Sequence, residues 1–218
     1  MLRAVLFDSD GVLVDTERPF YETTRTVFAA DGATLTEPQW ARWYLAEGRR
    51  SRDIAGLAGI PAGRVDRVIE DRDKAFWGRI AQGVRVLPGV RRTLRALAER
   101  FRLAVVTGAS RAHFERVHSS TGLLPYFELV VTSDDCGEAK PSPQAYLTAL
   151  RGLGLPGREC LAVEDSPRGA ASALAAGIRC LVVPHRLTAI ELCPRGSEIV
   201  DRVDRVIEAT TQPSGGIA

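Results

Sequence analysis

Short apolar runs, each containing valine, recur along the chain and constrain its fold more than any other feature. They are bounded by turn residues and lie at Ala4–Phe7, Leu103–Val106, Leu129–Val131, Leu161–Val163 and Cys180–Val183. Runs of this length suit strands that are buried on both faces of a parallel sheet. Amphipathic helical patterns separate the later runs, at Val90–Phe101, Ala112–Ser120, Gln144–Leu153 and Pro167–Ala176. This alternation predicts an α/β fold with a doubly wound parallel sheet.

One long segment interrupts the alternation of strands and helices. Residues 16–83 show helical patterns throughout, at Arg18–Ala30, Pro38–Leu45 and Val65–Ile80, and contain no convincing strand. We therefore predict a helical domain at 16–83, inserted into a Rossmann-like core that is formed by residues 1–15 and 84–210. Residues 211–218 are mostly small and polar and are predicted to form a disordered tail.

Composition and charge exclude several classes of protein. The chain has 218 residues, of which 45% are hydrophobic, and a formal net charge of +2. That is enough apolar material for a sizeable core, and the near-neutral charge favours neither nucleic acid nor a membrane surface as a partner. The four cysteines are scattered without metal-ligand spacing. No apolar run approaches 18 residues and no signal peptide is recognised, so we expect a cytoplasmic enzyme.

Two aspartates follow the first predicted strand directly. Asp8 and Asp10 lie in the stretch DSDGVLVDTE, immediately after Ala4–Phe7. Ligands of open α/β sheets gather at the carboxyl ends of the strands, where both carboxylates would lie. Buried carboxylates without a partner are costly, so the pair needs a cation or a catalytic role. The alternative is an Asp-Gly turn with solvated acids.

Polar residues also follow the other predicted strands. Thr107 opens the sequence Thr-Gly-Ala-Ser before a helix, an arrangement that can bind phosphate or simply cap the helix. Glu164 and Asp165 form a second acidic pair at a strand end. Lys140 follows the third strand and is one of only two lysines among 29 basic residues. Each feature alone has an ordinary structural explanation, but four strand ends with such side chains at one edge predict an active site.

These motifs resemble a known family. The sequences DSDGVLVDTE, VVTGAS, KP and EDSPRGAASALAAG look like the four ordered motifs of the haloacid dehalogenase superfamily. The resemblance spans residues 4–183. The inserted helices match the position of the cap domain in the branch that includes phosphoglycolate phosphatases and β-phosphoglucomutase. The resemblance implies a phosphoryl-transfer enzyme that acts on a small phosphorylated metabolite.

The resemblance also implies roles for the motif residues. Asp8 would be the nucleophile that forms an aspartyl phosphate, and Asp10 would be the general acid and base. Mg²⁺ would be bound by Asp8, the backbone carbonyl of Asp10 and Asp165, with Glu164 in support. Lys140 would offset the negative charge of Asp8 and the phosphate. The remaining residues expected to contact the phosphate are Thr107, Gly108, Ala109 and Gly11.

The helical insert is expected to determine substrate specificity. Thr16, Glu17 and Phe20 should face the cleft from the first cap helix. Arg49 and Arg50, with Arg52, lie at the position of a substrate-binding loop in related caps and could bind an anionic group; a solvated basic turn is the alternative. Four aromatic residues are interpreted as cap core rather than substrate contacts: Tyr21, Trp40, Trp43 and Trp77. Three histidines match no motif and are interpreted as surface or structural residues: His113, His118 and His185.

Three functions remain open at this point. The first is a Mg²⁺-dependent phosphatase that hydrolyses a small phosphate monoester, with no oligomeric state specified. The second is a sugar-phosphate mutase; mutases that resemble this chain have a histidine at the position of Phe20, which favours the phosphatase. The third is a non-catalytic binding protein, which the complete acidic set disfavours because a binder has no need of Asp10.

Overall fold

The computed structural model describes residues 1–211 and contains one six-stranded sheet. Every adjacent pair of strands in it is parallel, and the spatial order is β3-β2-β1-β4-β5-β6. The predicted doubly wound α/β fold is confirmed. Of the predicted tail, 211–218, all but Thr211 lies outside the described residues. The strands are β1 Ala4–Phe7, β2 Arg102–Val106, β3 Leu129–Val131, β4 Cys160–Glu164, β5 Arg179–Val182 and β6 Ser197–Ile199.

Nine α-helices occur within residues 1–211. The second continues directly into a π-helical segment, Ala41–Ala46. None of these helices has the length and apolar character needed to cross a membrane. The helices are α1 Glu17–Ala30, α2 Glu37–Trp40, α3 Ser51–Leu57, α4 Val65–Ile80, α5 Val90–Ala98, α6 Arg111–His118, α7 Gln144–Leu153, α8 Pro167–Ala175 and α9 Arg205–Ala209.

Both faces of the sheet are covered, as β1 illustrates. All four of its side chains are completely buried. Ala4 and Leu6 pack in a cluster with residues of α7 and α8, whereas Val5 and Phe7 pack on the opposite face against residues of α5 and α6. Because successive side chains of a strand point to opposite faces, a strand buried on both sides must be apolar at every position. This explains why the sequence shows unbroken apolar runs rather than alternation.

The edge strand β6 was not predicted from the sequence. It consists of Ser197, Glu198 and Ile199, and it pairs only with β5. An edge strand with one face in solvent carries polar residues, so it lacks the apolar run by which the inner strands are recognised.

Helices α1 to α4 surround a further hydrophobic cluster, to which Leu187 of the segment after β5 also belongs. Phe28, Trp40, Leu45 and Ile54 are at most 1% exposed within it. Trp40 and Tyr21 belong to this cluster, as the sequence interpretation expected. A separate core supports treating 16–83 as an inserted domain, although the boundaries at 15/16 and 83/84 stay predictions.

The two segments that connect the insert to the sheet are hydrogen-bonded to each other. Val14 and Val86 form an antiparallel bridge, Leu87 N–H donates to the Leu13 carbonyl at 3.0 Å, and Asp15 N–H donates to the Arg85 carbonyl at 2.9 Å. The entry to α1 and the exit from α4 are therefore held side by side. This pairing places the insert over the carboxyl ends of the strands.

Candidate active site

The polar residues predicted at the strand ends lie together at one edge of the sheet. In register, Phe7 of β1 is opposite Val105 of β2 and Val163 of β4, so Asp8 lies between the ends of its two neighbours. The Asp8 N–H donates to the Val163 carbonyl at 2.9 Å, so the hydrogen bonding between β1 and β4 continues to Asp8. The strand geometry thus fixes the backbone of Asp8 and leaves its side chain at the edge.

Lys140 occupies the centre of this edge. Its buried ammonium donates to Asp8 Oδ1 at 2.7 Å, to Glu164 Oε1 at 2.6 Å and to the Val106 carbonyl at 2.8 Å. An ammonium has three donors, so all of them are satisfied. Burial alone would lower the pKa of Lys140, but the Asp8 and Glu164 carboxylates raise it above its ordinary value. Lys140 is therefore a permanent cation beside Asp8.

The carboxylates at this edge outnumber the cation. Oxygen atoms of Asp8, Glu164 and Asp165 lie within 4.8 Å of one another, and all three residues are buried. Burial raises the pKa of Asp8 above its usual range; Lys140 opposes this effect, and Glu164 and Asp165 add to it. Glu164 Oε2 is buried and has no hydrogen-bond partner among residues 1–211. A buried oxygen cluster with excess negative charge fits a hard divalent cation such as Mg²⁺.

Two glycines allow the acidic cluster to form. Gly11 has a positive φ of 82°, and a Cβ at this position would overlap the Asp165 carboxylate. A Cβ at Gly169 would likewise overlap the Glu164 carboxylate. The sequence analysis assigns Gly11 to substrate binding, which stays a prediction. In the structure Gly11 lies against Asp165, outside the residues that line the cleft.

Asp10 faces the cleft between the core and the insert. Its Oδ1 accepts a hydrogen bond from Thr16 Oγ1 at 2.5 Å, and its Oδ2 lies 3.5 Å from Thr107 Oγ1. His113 Nε2 lies 3.9 Å from Asp10 Oδ1. The Asp10 carboxyl is thus held by hydroxyl donors, and it faces the cleft beside Asp8, where a general acid is needed.

Asp165 is oriented from the segment that follows β5. His185 Nε2 lies 2.9 Å from Asp165 Oδ2, and Thr188 Oγ1 donates to the Asp165 carbonyl at 2.8 Å. The Leu187 N–H donates to His185 Nδ1 at 3.1 Å, which leaves the ring proton on Nε2 to be donated to Asp165. Hydrogen bonds of this kind fix the orientation of carboxylates that bind metals.

A cleft of about 530 Å³ lies between the edge of the sheet and the inserted helices. The predicted phosphate-binding residues Gly108 and Ala109 line it from the core. The insert contributes Thr16, Glu17 and Phe20 to its wall, as the sequence reasoning expected. Phe20 also packs edge-on against Phe76, with 5.0 Å between the ring centroids, so it is part of an aromatic cluster as well as of the cleft wall.

Glu17 is an unusual member of the cleft wall. It is 9% exposed, and its Oε2 has no hydrogen-bond partner among the described residues. Burial raises the pKa of Glu17 to about 8, and the nearby Asp165 and Asp10 contribute to the increase. A carboxyl with such a pKa is largely protonated at neutral pH, so it can donate as well as accept hydrogen bonds in the cleft.

The arginines predicted to bind an anionic group of the substrate lie outside the cleft wall. Arg49 Nε donates to Glu47 at 2.6 Å, Arg50 precedes the first residue of α3, and Arg52 pairs with Asp66. None of the three lines the cleft. Their exposure and the nearby acids favour the solvated basic turn that the sequence analysis gave as the alternative.

Several cleft residues were not recognised from the sequence. The interpretation of the histidines as surface or structural fits His118, which binds Ser9 Oγ at 2.9 Å, but His113 lines the cleft and His185 contacts Asp165. Trp77, which was interpreted as cap core, lines the cleft and packs against the hydrophobic cluster of the sheet, α5 and α6 instead. Arg168 also lines it, and the only sequence signal for it was its place within the motif EDSPRG.

Comparisons with known proteins agree with this geometry. The sequence profile of the haloacid dehalogenase-like hydrolases matches residues 2–177. The protein CbbY of Rhodobacter capsulatus is 36% identical over 198 residues, which cover 86% of this chain and 87% of that protein. A phosphorylated carbohydrates phosphatase of Thermotoga maritima is 31% identical over 197 residues, covering 85% and 87%.

A solved structure shares both the sheet and the insert. The crystal structure of a putative β-phosphoglucomutase from Thermotoga maritima superposes with a TM-score of 0.73 at 26% identity, covering 96% of this chain and 98% of that one. Its fold and the family profile point to the same group as the strand-end motifs do. The chain belongs to the haloacid dehalogenase-like hydrolase family.

Proposed function

We propose that this protein is a Mg²⁺-dependent phosphatase that hydrolyses a small phosphate monoester through an aspartyl phosphate on Asp8. The observation that carries the proposal is the contact between Asp8 and Lys140 beside the acidic cluster, with Asp10 facing the same cleft. The name of the T. maritima relative supports a phosphorylated carbohydrate as the class of substrate.

In the first step, a carboxylate oxygen of Asp8 attacks phosphorus and the bond from phosphorus to the ester oxygen breaks. The departing oxygen takes a proton from Asp10, which Thr16 orients through its 2.5 Å hydrogen bond. The products of this step are the dephosphorylated alcohol and the aspartyl phosphate. Asp10 is left as a carboxylate.

In the second step, water attacks the aspartyl phosphate. Asp10 takes a proton from the water, the bond between phosphorus and the Asp8 oxygen breaks, and inorganic phosphate leaves. Both side chains return to their starting states. The Thr107 hydroxyl and the backbone at Gly108 bind phosphoryl oxygens in both steps, and Lys140 offsets the negative charge of Asp8 and the phosphate, which is the positioning on which phosphoryl transfer depends.

The acidic cluster would hold the cofactor. Asp8 and Asp165 are the proposed carboxylate ligands of Mg²⁺, together with the backbone carbonyl of Asp10. The bound ion would neutralise charge on the transferred phosphoryl group. Glu164 already contacts Lys140 and Tyr146 Oη at 2.6 Å, so we assign it to orienting Lys140 as much as to supporting the metal.

We expect phosphate release from a panel of metabolite phosphates to require both the protein and Mg²⁺. A colorimetric phosphate assay with sugar phosphates, phosphoglycolate, nucleotides and pyridoxal phosphate measures it. The Asp8→Asn protein, purified in the same way, controls for contaminating phosphatases. No release from any compound above that control would contradict the proposed function.

Phe20 favours hydrolysis over the mutase alternative. A phenyl ring neither donates nor accepts the hydrogen bond that a histidine at this position would make. Phe20 instead packs against Trp40 and Phe76, and the Arg72 guanidinium lies 4.5 Å from its ring centre. The side chain is therefore committed to apolar contacts rather than to proton transfer by Asp10.

We accordingly expect inorganic phosphate to appear in proportion to the substrate consumed. With β-glucose 1-phosphate and a trace of glucose 1,6-bisphosphate, a coupled dehydrogenase assay should detect little glucose 6-phosphate. Isomerisation that outpaces phosphate release would make the protein a mutase, and another cleft residue would then have to take the role of the missing histidine.

The remaining sequence expectations stay predictions. They concern the function of the insert at 16–83 as a cap, the cytoplasmic location, and the lack of nucleic acid or membrane as a partner. The near-neutral charge supports the last of these.

A further inference from the structure

Arg168, in the first turn of α8, is a half-buried cation in the wall of the cleft. It follows Asp165 by three residues. Its guanidinium carbon lies 5.1 Å from the centre of the Tyr44 ring, and a Cβ built on Gly48 would be 3.6 Å from its Cδ and Nη1. The side chain therefore extends from the core towards the insert, along the side of the cleft that lies beyond the acidic cluster.

Burial lowers the pKa of Arg168, but Tyr44 and the carboxyl groups of Glu17, Asp165 and Asp8 are near enough to raise it above its ordinary value. Even so, the Arg168 guanidinium forms no salt bridge within the described part of the chain. Within residues 1–211, no carboxylate oxygen lies within 4.0 Å of it and no group accepts a hydrogen bond from it. Arg72, by contrast, is buried with Asp73 at 2.7 Å and Ser51 at 3.1 Å. Removing water from an unpaired guanidinium is costly, so an arginine in this environment calls for an anion.

The other cations of the cleft do not compete for this role. Lys140 has all three donors occupied and lies against Asp8, where the transferred phosphate must bind. Arg116 is exposed, and its guanidinium lies 4.1 Å from the centre of the Trp77 ring. Arg168 alone combines partial burial, a free planar set of donors and a position on the side of the insert. Such a planar group suits a carboxylate or a phosphate.

We propose that Arg168 binds a second anionic group of the substrate, a carboxylate or a second phosphate, while the phosphoryl group that is transferred lies against Asp8. The inference rests on the proposed phosphatase function and narrows its substrates to phosphate esters that carry another anion. In this proposal the second anion is bound by Arg168 in the first turn of α8, rather than by Arg49 and Arg50 of the insert as the sequence analysis expects.

Two matched pairs of compounds test the assignment and separate the two anions. The first pair is 2-phosphoglycolate and 2-hydroxyethyl phosphate, in which a neutral hydroxymethyl group replaces the carboxylate. The second is fructose 1,6-bisphosphate and fructose 6-phosphate, which differ only in a phosphate. For at least one pair, wild-type kcat/KM should be at least about tenfold higher for the compound with the second anion.

Arg168→Gln should reduce kcat/KM for that preferred compound by about 30-fold, which corresponds to about 2 kcal/mol. The loss should be much smaller for its partner, so the ratio within the pair should fall to about one. Arg168→Lys should keep part of the ratio, because it retains the charge but not the planar donors. Arg116→Gln, the other arginine of the cleft wall, should leave the ratio intact. Circular dichroism and melting curves verify that each variant is folded.

Three results would overturn the assignment of Arg168. One is a wild-type enzyme that shows no preference within either pair. Another is a preference that survives Arg168→Gln or disappears instead with Arg49→Gln. The third is an equal loss for both members of a pair, which would mean that Arg168 only maintains the cleft through its contact with Tyr44.

Failure of the phosphatase proposal would look different. If the wild-type protein hydrolyses neither these four compounds nor any member of the metabolite panel, the proposed function is wrong. Calorimetric titration of the wild-type and Arg168→Gln proteins with the same four compounds then decides the role of Arg168. Tighter binding of the compound with the second anion, lost in Arg168→Gln, would support it, and equal binding would refute it.

Discussion

Replacing Asp8 with asparagine should lower kcat by at least about 10³-fold, equivalent to about 4 kcal/mol of activation free energy. The amide has the shape of the carboxylate but cannot attack phosphorus or form an aspartyl phosphate. Steady-state phosphate release measures the loss. The exposed Asp53, on α3 of the insert, provides the matched control, since Asp53→Asn makes the same chemical change away from the cleft.

The Asp8→Asn protein should remain folded. The asparagine Oδ1 can still accept a hydrogen bond from Lys140 but carries no negative charge, and Lys140 keeps its 2.6 Å contact with Glu164 and its contact with the Val106 carbonyl. It also removes one of three buried carboxylates that repel one another. These effects oppose each other, so the melting temperature should change little. Activity within tenfold of wild type in a folded variant would rule out Asp8 as the nucleophile.

Removal of divalent metal should abolish turnover, and Mg²⁺ should restore it. The carboxylates of Asp8, Glu164 and Asp165 are buried within 4.8 Å of one another and Lys140 contacts two of them, so we expect a bound cation to be needed before a phosphate dianion can bind there. Excess Ca²⁺ should inhibit, because its larger and looser coordination shell misplaces the nucleophile. Treatment with EDTA followed by titration with each metal measures both effects.

Asp165→Ala provides the site-specific version of this experiment. It should raise the Mg²⁺ concentration for half-maximal activity by at least about tenfold. Mg²⁺ at a hundred times its dissociation constant should stabilise the wild-type fold by about 2.7 kcal/mol, and this stabilisation should be lost in the variant at the same concentration. The exposed Asp71→Ala is the control. Full activity after EDTA, or an unchanged thermal response to Mg²⁺ in Asp165→Ala, would refute the metal site.

The sheet was largely predictable because its inner strands are buried on both faces and because the edge strand β3, although only partly buried, is also apolar. The apolar runs Ala4–Phe7 and Leu129–Val131 coincide with β1 and β3, and Gln144–Leu153 and Val65–Ile80 coincide with α7 and α4. Burial imposes a local pattern on such segments, and a local pattern is visible in sequence. The half-exposed β6 carries no such pattern, which explains why it was missed.

The core of the site was predictable for a related reason. Residues that directly follow buried parallel strands must meet at one edge of the sheet, so Asp8, Thr107 and Asp165 could be brought together without coordinates. Gly11 was recognised only as part of a motif. The steric reason why a glycine is needed there, the close approach of the Asp165 carboxylate, required the structure.

The sequence by itself determined the order of strands and helices, the inserted helical segment and the set of charged residues at the sheet edge. The tertiary structure decided which charges meet: Lys140 with Asp8 across 132 positions, His185 with Asp165, and Arg168 rather than Arg49 in the cleft wall. Hydrophobic periodicity and the residues that follow strands depend on neighbours along the chain, so they can be recognised in the amino-acid sequence. The pairing of long charged side chains depends on how distant segments pack and on which acidic side chain lies nearest. Arg49, for example, pairs with the nearby Glu47.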